Sequence, residues 1–142
     1  MSSLVEGLEA NRLMRSRDEV IRFEQTLETL AQNPDSHDLP HLHLILDDAC
    51  EHPEVMFSLV HFLESFEVHE QIQALIQVLP ELVNRAAEWT VILHSRIMND
   101  ELARSRFEET LRSLNESQKL AVEQSLAFAT EKQAASQFVK VL

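Results

Sequence analysis

The chain has 142 residues, a usual length for one domain, and its single glycine excludes the many tight turns that β-hairpin folds require. Its only cysteine, Cys50, excludes an internal disulfide bond and a thiolate metal cluster. The formal net charge of −12 excludes a general attraction to nucleic acid or anionic lipid, and no apolar run is long enough for a membrane span. We therefore expect an all-α, cytoplasmic protein without direct nucleic-acid or membrane contacts.

The charge is unevenly distributed along the chain. Residues 1–22 hold four acidic and four basic residues, and residues 102–142 hold five and six. Residues 23–101, the acidic middle segment, hold fifteen acidic residues against two arginines, together with all seven histidines. Such a field attracts a basic partner, although acidic surfaces also serve only to keep cytosolic proteins in solution.

The beginning of the chain has weak hydrophobic periodicity. We expect a weakly ordered segment over residues 1–17, either a frayed helix or a loose tail, and one helical domain over residues 18–142. Asp18 is a suitable N-cap for the first secure helix, which the Asn33-Pro34 pair must end.

Residues 53–66 predict a helix so apolar that it should be central to the fold. At 100° per residue its apolar side chains span an arc of about 160°, more than a surface helix needs. Phe57, His61 and Glu64 form a row on the opposite side. That row is either a packed seam or a contact face.

The rest of the chain continues as helices with short joints. An apolar stripe over residues 68–79 predicts one helix, which Pro80 either kinks or restarts. Further breaks are predicted near Ala86, Asn99 and Asn115. The apolar tail should dock on the domain or be disordered.

These elements predict a single domain of about seven to eight short antiparallel helices. The pattern Leu-Pro-x-Leu occurs twice, 40 residues apart, which is near the length of a two-helix repeat. Both an irregular bundle and a short HEAT-like solenoid fit this pattern.

Histidines and carboxylates occur at spacings that metal ligands use. His37 and His41 lie at i and i+4 with Asp48 beyond them, and His43 and Asp47 lie at i and i+4 on the predicted outer face of a helix. No third ligand completes either set locally. We therefore expect solvated surface residues, no metal and no cofactor.

Catalytic signatures are also missing from the sequence. There is no glycine-rich phosphate loop and no nucleophile elbow, and the His69-Glu70 pair is followed by Gln73 where a zinc peptidase has its second histidine. We expect no catalytic residues and no enzyme.

The acidic row is the strongest candidate for a binding surface. Consecutive helix junctions carry carboxylates that two hairpins can present on one edge, and such a cluster lowers stability unless a cation binds. Phe57 would add an apolar anchor, whereas a hydrated helix edge is the alternative interpretation. The candidate contacts are Asp47, Asp48, Glu51, Glu54, Phe57, His61, Glu64, Glu67 and Glu70.

Three further residues are candidate contacts. Arg96 lies on the same predicted helix face as Trp89, and a guanidinium in an apolar stripe must find a partner. The partner is either a carboxylate or helix-end carbonyls of the same chain, or else Arg96 reaches a ligand together with Asn99 and Trp89.

Helical core residues occur in a recognisable order in three stretches: EVMFSLVHFLESF at 54–66, VLPEL at 78–82, and the Glu-Trp, Ile-Leu and RIMND groups within 88–100. In order and spacing they resemble the helical immunity proteins of bacterial polymorphic toxin and contact-dependent growth inhibition systems, in particular the immunity protein thirty group. The resemblance extends over about residues 18–115. The matching residues include Phe57, His61, Glu64, Trp89, Arg96 and Asn99.

The resemblance implies a protein without enzymatic activity that binds a cognate toxin C-terminal domain in the cytosol and neutralises it. The acidic charge favours a nuclease with a basic surface as that partner, because nucleases are basic where they bind phosphates. The alternatives are a helical-repeat scaffold or adaptor that binds a basic cellular protein and, third, a metal-dependent enzyme.

Overall fold

A computed structural model of the protein describes the backbone of residues 2–141 and the side chains of residues 2–135, so the expected docking of the apolar tail, residues 138–142, concerns side chains outside the described residues. This part of the chain forms eight α helices and one 3-10 turn, without strands, and confirms the prediction of a single all-α domain. No helix within it is long and apolar enough to cross a membrane. The helices are α1 (Ser3–Asn11), α2 (Arg17–Gln32), α3 (Leu39–His43), α4 (Pro53–Glu64), α5 (Val68–Arg85), α6 (Ala87–Met98), α7 (Glu101–Ser113) and α8 (Glu116–Val141).

Most helices begin where a polar side chain accepts a hydrogen bond from the first turn. Ser16 caps α2 by accepting from the N–H of Glu19, and Asp18, the predicted cap, lies inside the first turn instead. Asn115 and Gln118 accept from each other's backbone N–H at the start of α8, at 2.8 and 3.0 Å. This reciprocal pair is a capping box and separates α7 from α8.

The N-terminal segment, for which we expected a frayed helix or a loose tail over residues 1–17, contains a helix. It forms α1, which packs on α2, and Val5, Leu8 and Met14 are fully buried. Met14 has a φ of 51°, where the chain reverses between the two helices. A helix with only two buried positions is too short for its periodicity to be recognised in the sequence.

The central helix is α5, and the prediction that residues 53–66 are central is wrong. α5 packs against α3, α4, α6, α7 and α8, and seven of its residues are buried. α4 packs mainly against α2, α3 and α5, so one side of it reaches the surface. Pro80 lies inside α5 without ending it.

The two Leu-Pro-x-Leu segments occupy different places. Leu39 and Leu42 belong to α3, with the proline in the first turn, whereas Leu79 and Leu82 lie within α5. All four leucines are buried, and α3 packs directly on α5. Their recurrence therefore reflects facing core positions and does not support a solenoid repeat.

Candidate functional site

The outward flank of α4 carries the row of Phe57, His61 and Glu64. The half-buried ring of Phe57 meets the indole of Trp89 in α6 edge-on, with ring centroids 4.9 Å apart. His61 is exposed, and its ring centroid lies 6.4 Å from that of Phe57. The row is therefore packed against α6 at Phe57 and open to solvent at His61.

Glu64 ends the row and binds Arg96 of α6. The guanidinium donates from Nε and Nη2 to the two carboxylate oxygens, each at 2.7 Å. Hydrogen bonding from Glu64 raises the pKa of Arg96. Both side chains are about two-fifths exposed, so this bidentate pair lies at the surface. The arginine of the apolar stripe thus finds a carboxylate of its own chain.

A groove of about 610 Å³ opens beside this ion pair, where α4, α5, α6 and α7 meet. We call it the Arg96 groove. Its apolar part includes Val68 and Ile97, and Leu102 stands on it with 57% of its surface exposed. Asn99 and Asp100 line the α7 end, where the Asp100 carboxylate accepts from the N–H of Ala103. The complete lining is Glu64, Val68, Gln71, Arg96, Ile97, Asn99, Asp100, Leu102 and Ala103.

The turn between α4 and α5 is fixed by two polar side chains. Gln71 donates from Nε2 to the carbonyl oxygens of Phe66 and Glu64, at 2.6 and 3.2 Å. The Glu67 carboxylate accepts from the backbone N–H groups of His69 and Glu70, which lowers the pKa of Glu67. Glu67 therefore has a capping role, whereas Glu70 is exposed on the first turn of α5.

Asp47 is buried at the centre of a partly exposed ion cluster, which corrects its place among the candidate surface contacts. Its carboxylate lies 3.0 Å from Nε of Arg12 and 3.9 Å from Nε of Arg85. Glu9 also pairs with both arginines, at 3.5 and 3.2 Å. These four residues join α1, the loop before α4 and the end of α5. The sequence did not predict that Arg12 and Glu9 belong to this cluster, because Arg12 is 35 residues from Asp47.

The other carboxylates near the start of α4 remain at the surface. Asp48 is exposed, but its oxygens accept from the backbone N–H groups of Glu88 and Trp89 and so cap α6. Glu51 and Glu54 are exposed, and Glu54 lies 3.0 Å from Nδ1 of His52. Glu54 precedes Glu64 by ten residues of α4, which at about 1.5 Å per residue places the two roughly 15 Å apart along the helix axis. The acidic row therefore has two separate ends.

The predicted histidine pairs do not form metal sites. His43 was expected on an outer face but is buried, with Nδ1 2.8 Å from the carbonyl oxygen of Leu39. Burial lowers the pKa of His43 to about 4. Because α3 ends at His43 after five residues, helical spacing does not extend to Asp47. Within the described residues, no group of three potential ligands is placed to hold a metal ion.

A second groove lies between α2 and α4, on the neighbouring flank of α4, and was missed in the sequence. It has a volume of about 520 Å³, and we call it the α2–α4 groove. Its lining residues recur every three or four positions along each helix, and this periodicity can be seen in the sequence. The sequence does not show that the two helices are neighbours. The lining residues are Glu24, Leu27, Glu28, Ala31, Ser58, Phe62 and Ser65.

Comparison with known protein families gives one match: the family model described as Immunity protein 30 aligns with residues 10–107. The chain belongs to the Immunity protein 30 family. This confirms the resemblance found in the sequence. Neither a curated protein nor a solved structure shows significant similarity to the chain.

The Immunity protein 30 region contains α4, both grooves and every candidate contact residue, whereas α8 lies outside it. Both arginines of the acidic middle segment are engaged within the chain, Arg85 with Asp47 and Arg96 with Glu64. The other thirteen of its fifteen carboxylates have no Lys or Arg within 4 Å among the described side chains. The acidic middle segment, which lies within the Immunity protein 30 region, thus has few cationic partners for its carboxylates among the described side chains.

Proposed function

We propose that this protein is an immunity protein that binds the toxic C-terminal domain of a cognate toxin in the cytoplasm and neutralises it. The Immunity protein 30 match over residues 10–107 carries the proposal, because it spans the whole surface around α4. The toxin would be one delivered by a neighbouring cell, as in contact-dependent growth inhibition. The protein acts by binding, without turnover of its own.

The contact surface we propose is the exposed flank of α4 with the Arg96 groove. His61 on this flank and Glu70 on the first turn of α5 are exposed, and the half-buried ring of Phe57 packs edge-on against Trp89. Aromatic residues backed by a packed neighbour are frequent energetic centres of interfaces. Arg96, Asn99 and Glu64 line the groove, and Glu67 lies in the adjoining turn. Asp48, Glu51 and Glu54 add negative charge at the other end of α4.

The charge supports a basic toxin, most simply a nuclease. A nuclease domain carries cationic residues where it binds phosphates. Thirteen uncompensated carboxylates in one segment would repel each other less once such a domain is bound, and they would accelerate its association by roughly 10-fold or more at low salt. The carboxylates would then occupy the surface that the nucleic acid needs.

The direct experiment is co-purification and titration calorimetry with the toxin domain encoded immediately upstream of the gene. We expect a one-to-one complex that inhibits the toxin, with an affinity that weakens moderately with salt. The double variant His61→Ala/Glu70→Lys should bind at least ~10-fold more weakly. Absence of binding at low salt would overturn the proposal.

The matched control places the same kind of change on α8. Glu123→Lys carries the same single charge reversal, and Glu123 is exposed and lies outside the family match. Equal weakening by both variants would show that only net charge matters and that the α4 flank is not the contact surface.

A further inference from the structure

We propose that the α2–α4 groove binds a cationic amphipathic helix of the toxin domain. This inference rests on the proposed function and adds to it a second contact region and the kind of segment that the region accepts.

The groove has an apolar floor that is accessible from outside. Leu27 of α2 and Phe62 of α4 line it with 7% and 8% of their surfaces exposed. The small residues Ala31 and Ser58 are exposed beside them and leave the space open. An apolar side chain of a partner that enters this space would contact the exposed part of Leu27 and Phe62.

The rim of the groove is negative. Glu24 and Glu28 lie one turn apart on α2, both are exposed, and neither has a Lys or Arg within 4 Å among the described side chains. Among the described side chains, none that lines the groove is cationic. A partner that brings apolar side chains to the floor and Lys or Arg to the rim would therefore match it in both properties. Long cationic side chains do this by laying their apolar stems along the floor.

The spacing of the lining residues favours a helix as that partner. Glu24, Leu27, Glu28 and Ala31 follow i, i+3, i+4, i+7 along α2, and Ser58, Phe62 and Ser65 follow i, i+4, i+7 along α4. Side-chain rows of this spacing accept the corresponding rows of a third helix, which is how amphipathic helices bind in grooves.

The position of the groove allows one toxin domain to contact both proposed regions. Ser58, Phe62 and Ser65 lie about 100° around α4 from Phe57, His61 and Glu64. The α2–α4 groove and the Phe57 row are thus neighbouring flanks of the same exposed helix. A toxin domain placed over α4 would contact the Phe57 row with its surface and the α2–α4 groove with its cationic helix.

Two variants test the groove by different means. Glu24→Lys/Glu28→Lys reverses the charge of the rim, and Ser58→Trp fills the space above the floor. Each should weaken binding of the upstream-encoded toxin domain, measured by calorimetry, at least ~10-fold. Circular dichroism and thermal unfolding confirm that each variant is folded.

The controls make equivalent changes elsewhere. Glu123→Lys/Glu131→Lys reverses two exposed charges on α8, and Ser105→Trp adds an indole to an exposed position of α7. Both should change the affinity by less than about 2-fold. If wild type binds the toxin domain and both groove variants bind as tightly as their controls, the groove proposal is overturned while the proposed function stands.

A synthetic peptide probe tests the groove without the toxin. A helical peptide of about 18 residues, with leucines on one face and lysines on the other, is titrated into the wild-type protein. We expect the peptide to change the NMR chemical shifts of the amides of Glu24, Ala31, Ser58 and Ser65. These changes should be lost in the Ser58→Trp variant, and they should be absent when the peptide carries glutamates in place of its lysines. Shifts spread over the whole surface, or equal shifts with both peptides, overturn the proposed selectivity.

Discussion

Asp47 and Glu64 lie before and at the end of α4, and each binds one of the two arginines of the acidic middle segment. The Asp47 side chain is 10% exposed and joins α1, the loop before α4 and the end of α5 through Arg12, Arg85 and Glu9. The Glu64 side chain is 36% exposed and stands at the edge of the Arg96 groove. Carboxylates of one acidic row thus differ in their surroundings: Asp47 is enclosed in an ion cluster, whereas Glu64 is accessible, and we propose that Glu64 contacts the toxin.

The largest effect is expected at the Asp47 end. Asp47→Ala leaves Arg12 and Arg85 half-buried with Glu9 alone, and the free energy of unfolding should fall by about 3 kcal/mol. Urea denaturation measures this change. Glu51→Ala, an exposed carboxylate before the same helix, should change it by less than about 0.5 kcal/mol. Equal effects of the two substitutions would remove the distinction between the two ends.

A second effect extends the comparison to the buried histidine. Burial lowers the pKa of His43 to about 4 in the folded protein, against 6.5 for an ordinary histidine. The unfolded chain therefore takes up its proton first as the pH falls, and this contribution to stability is complete above pH 6.5 and is lost toward pH 4. Relative to His43→Gln, wild type should lose about 2 kcal/mol of unfolding free energy between pH 6.5 and pH 4.5.

Denaturation curves of both proteins across this range give the comparison. Burial also lowers the pKa of His94, but that histidine is present in both proteins and its effect cancels in the difference. Parallel pH profiles for wild type and His43→Gln would show that His43 does not titrate from a buried position.

A third effect tests the seam between α4 and α6. Phe57→Ala removes a half-buried ring from Trp89, the only tryptophan of the chain, and should cost about 1.5 kcal/mol of stability. The fluorescence of Trp89 should shift to longer wavelength because the indole gains contact with water. Phe128→Ala, an exposed phenylalanine of α8, is the control and should leave the emission unchanged. An unshifted spectrum in Phe57→Ala would contradict the packed seam.

The smallest stability effect is expected at the Glu64 end. A double-mutant cycle with Glu64→Gln and Arg96→Gln should give a coupling energy below about 1 kcal/mol, because the pair is exposed. Toxin affinity should nevertheless fall by ~10-fold in either single variant. The exposed pair of Arg106 and Glu109 on α7 supplies the control cycle, without an effect on affinity. A large coupling energy with unchanged affinity would assign Glu64 the same structural role as Asp47.

Local signals account for what the sequence predicts well. Proline at position 34, the break at Ala86 and the Asn99-Asp100 pair each mark a helix boundary, because capping and proline geometry depend on neighbouring residues. The row of Phe57, His61 and Glu64 follows from helical spacing alone.

The remaining features depend on contacts between distant parts of the chain. Arg12 is 35 residues from Asp47, and Arg96 is 32 residues from Glu64, so spacing identified neither partner. Because α3 ends at His43, the i, i+4 spacing that grouped His43 with Asp47 on one outer face does not apply. Predicting the α2–α4 groove would require knowing that side chains of α2 and α4 line the same space. Each of the two side-chain stripes is ordinary for a surface helix. Periodicity describes one helix at a time and leaves such pairings undetermined.

Hydrogen–deuterium exchange of the protein, free and bound to the upstream-encoded toxin domain, tests the proposed surface most directly. We predict that binding protects the amides of α4 and of the α6–α7 junction, and leaves α8 unchanged. Protection confined to α8 or to the ion cluster of Asp47, or no protection at saturating toxin, would contradict the proposal that the α4 surface neutralises the toxin.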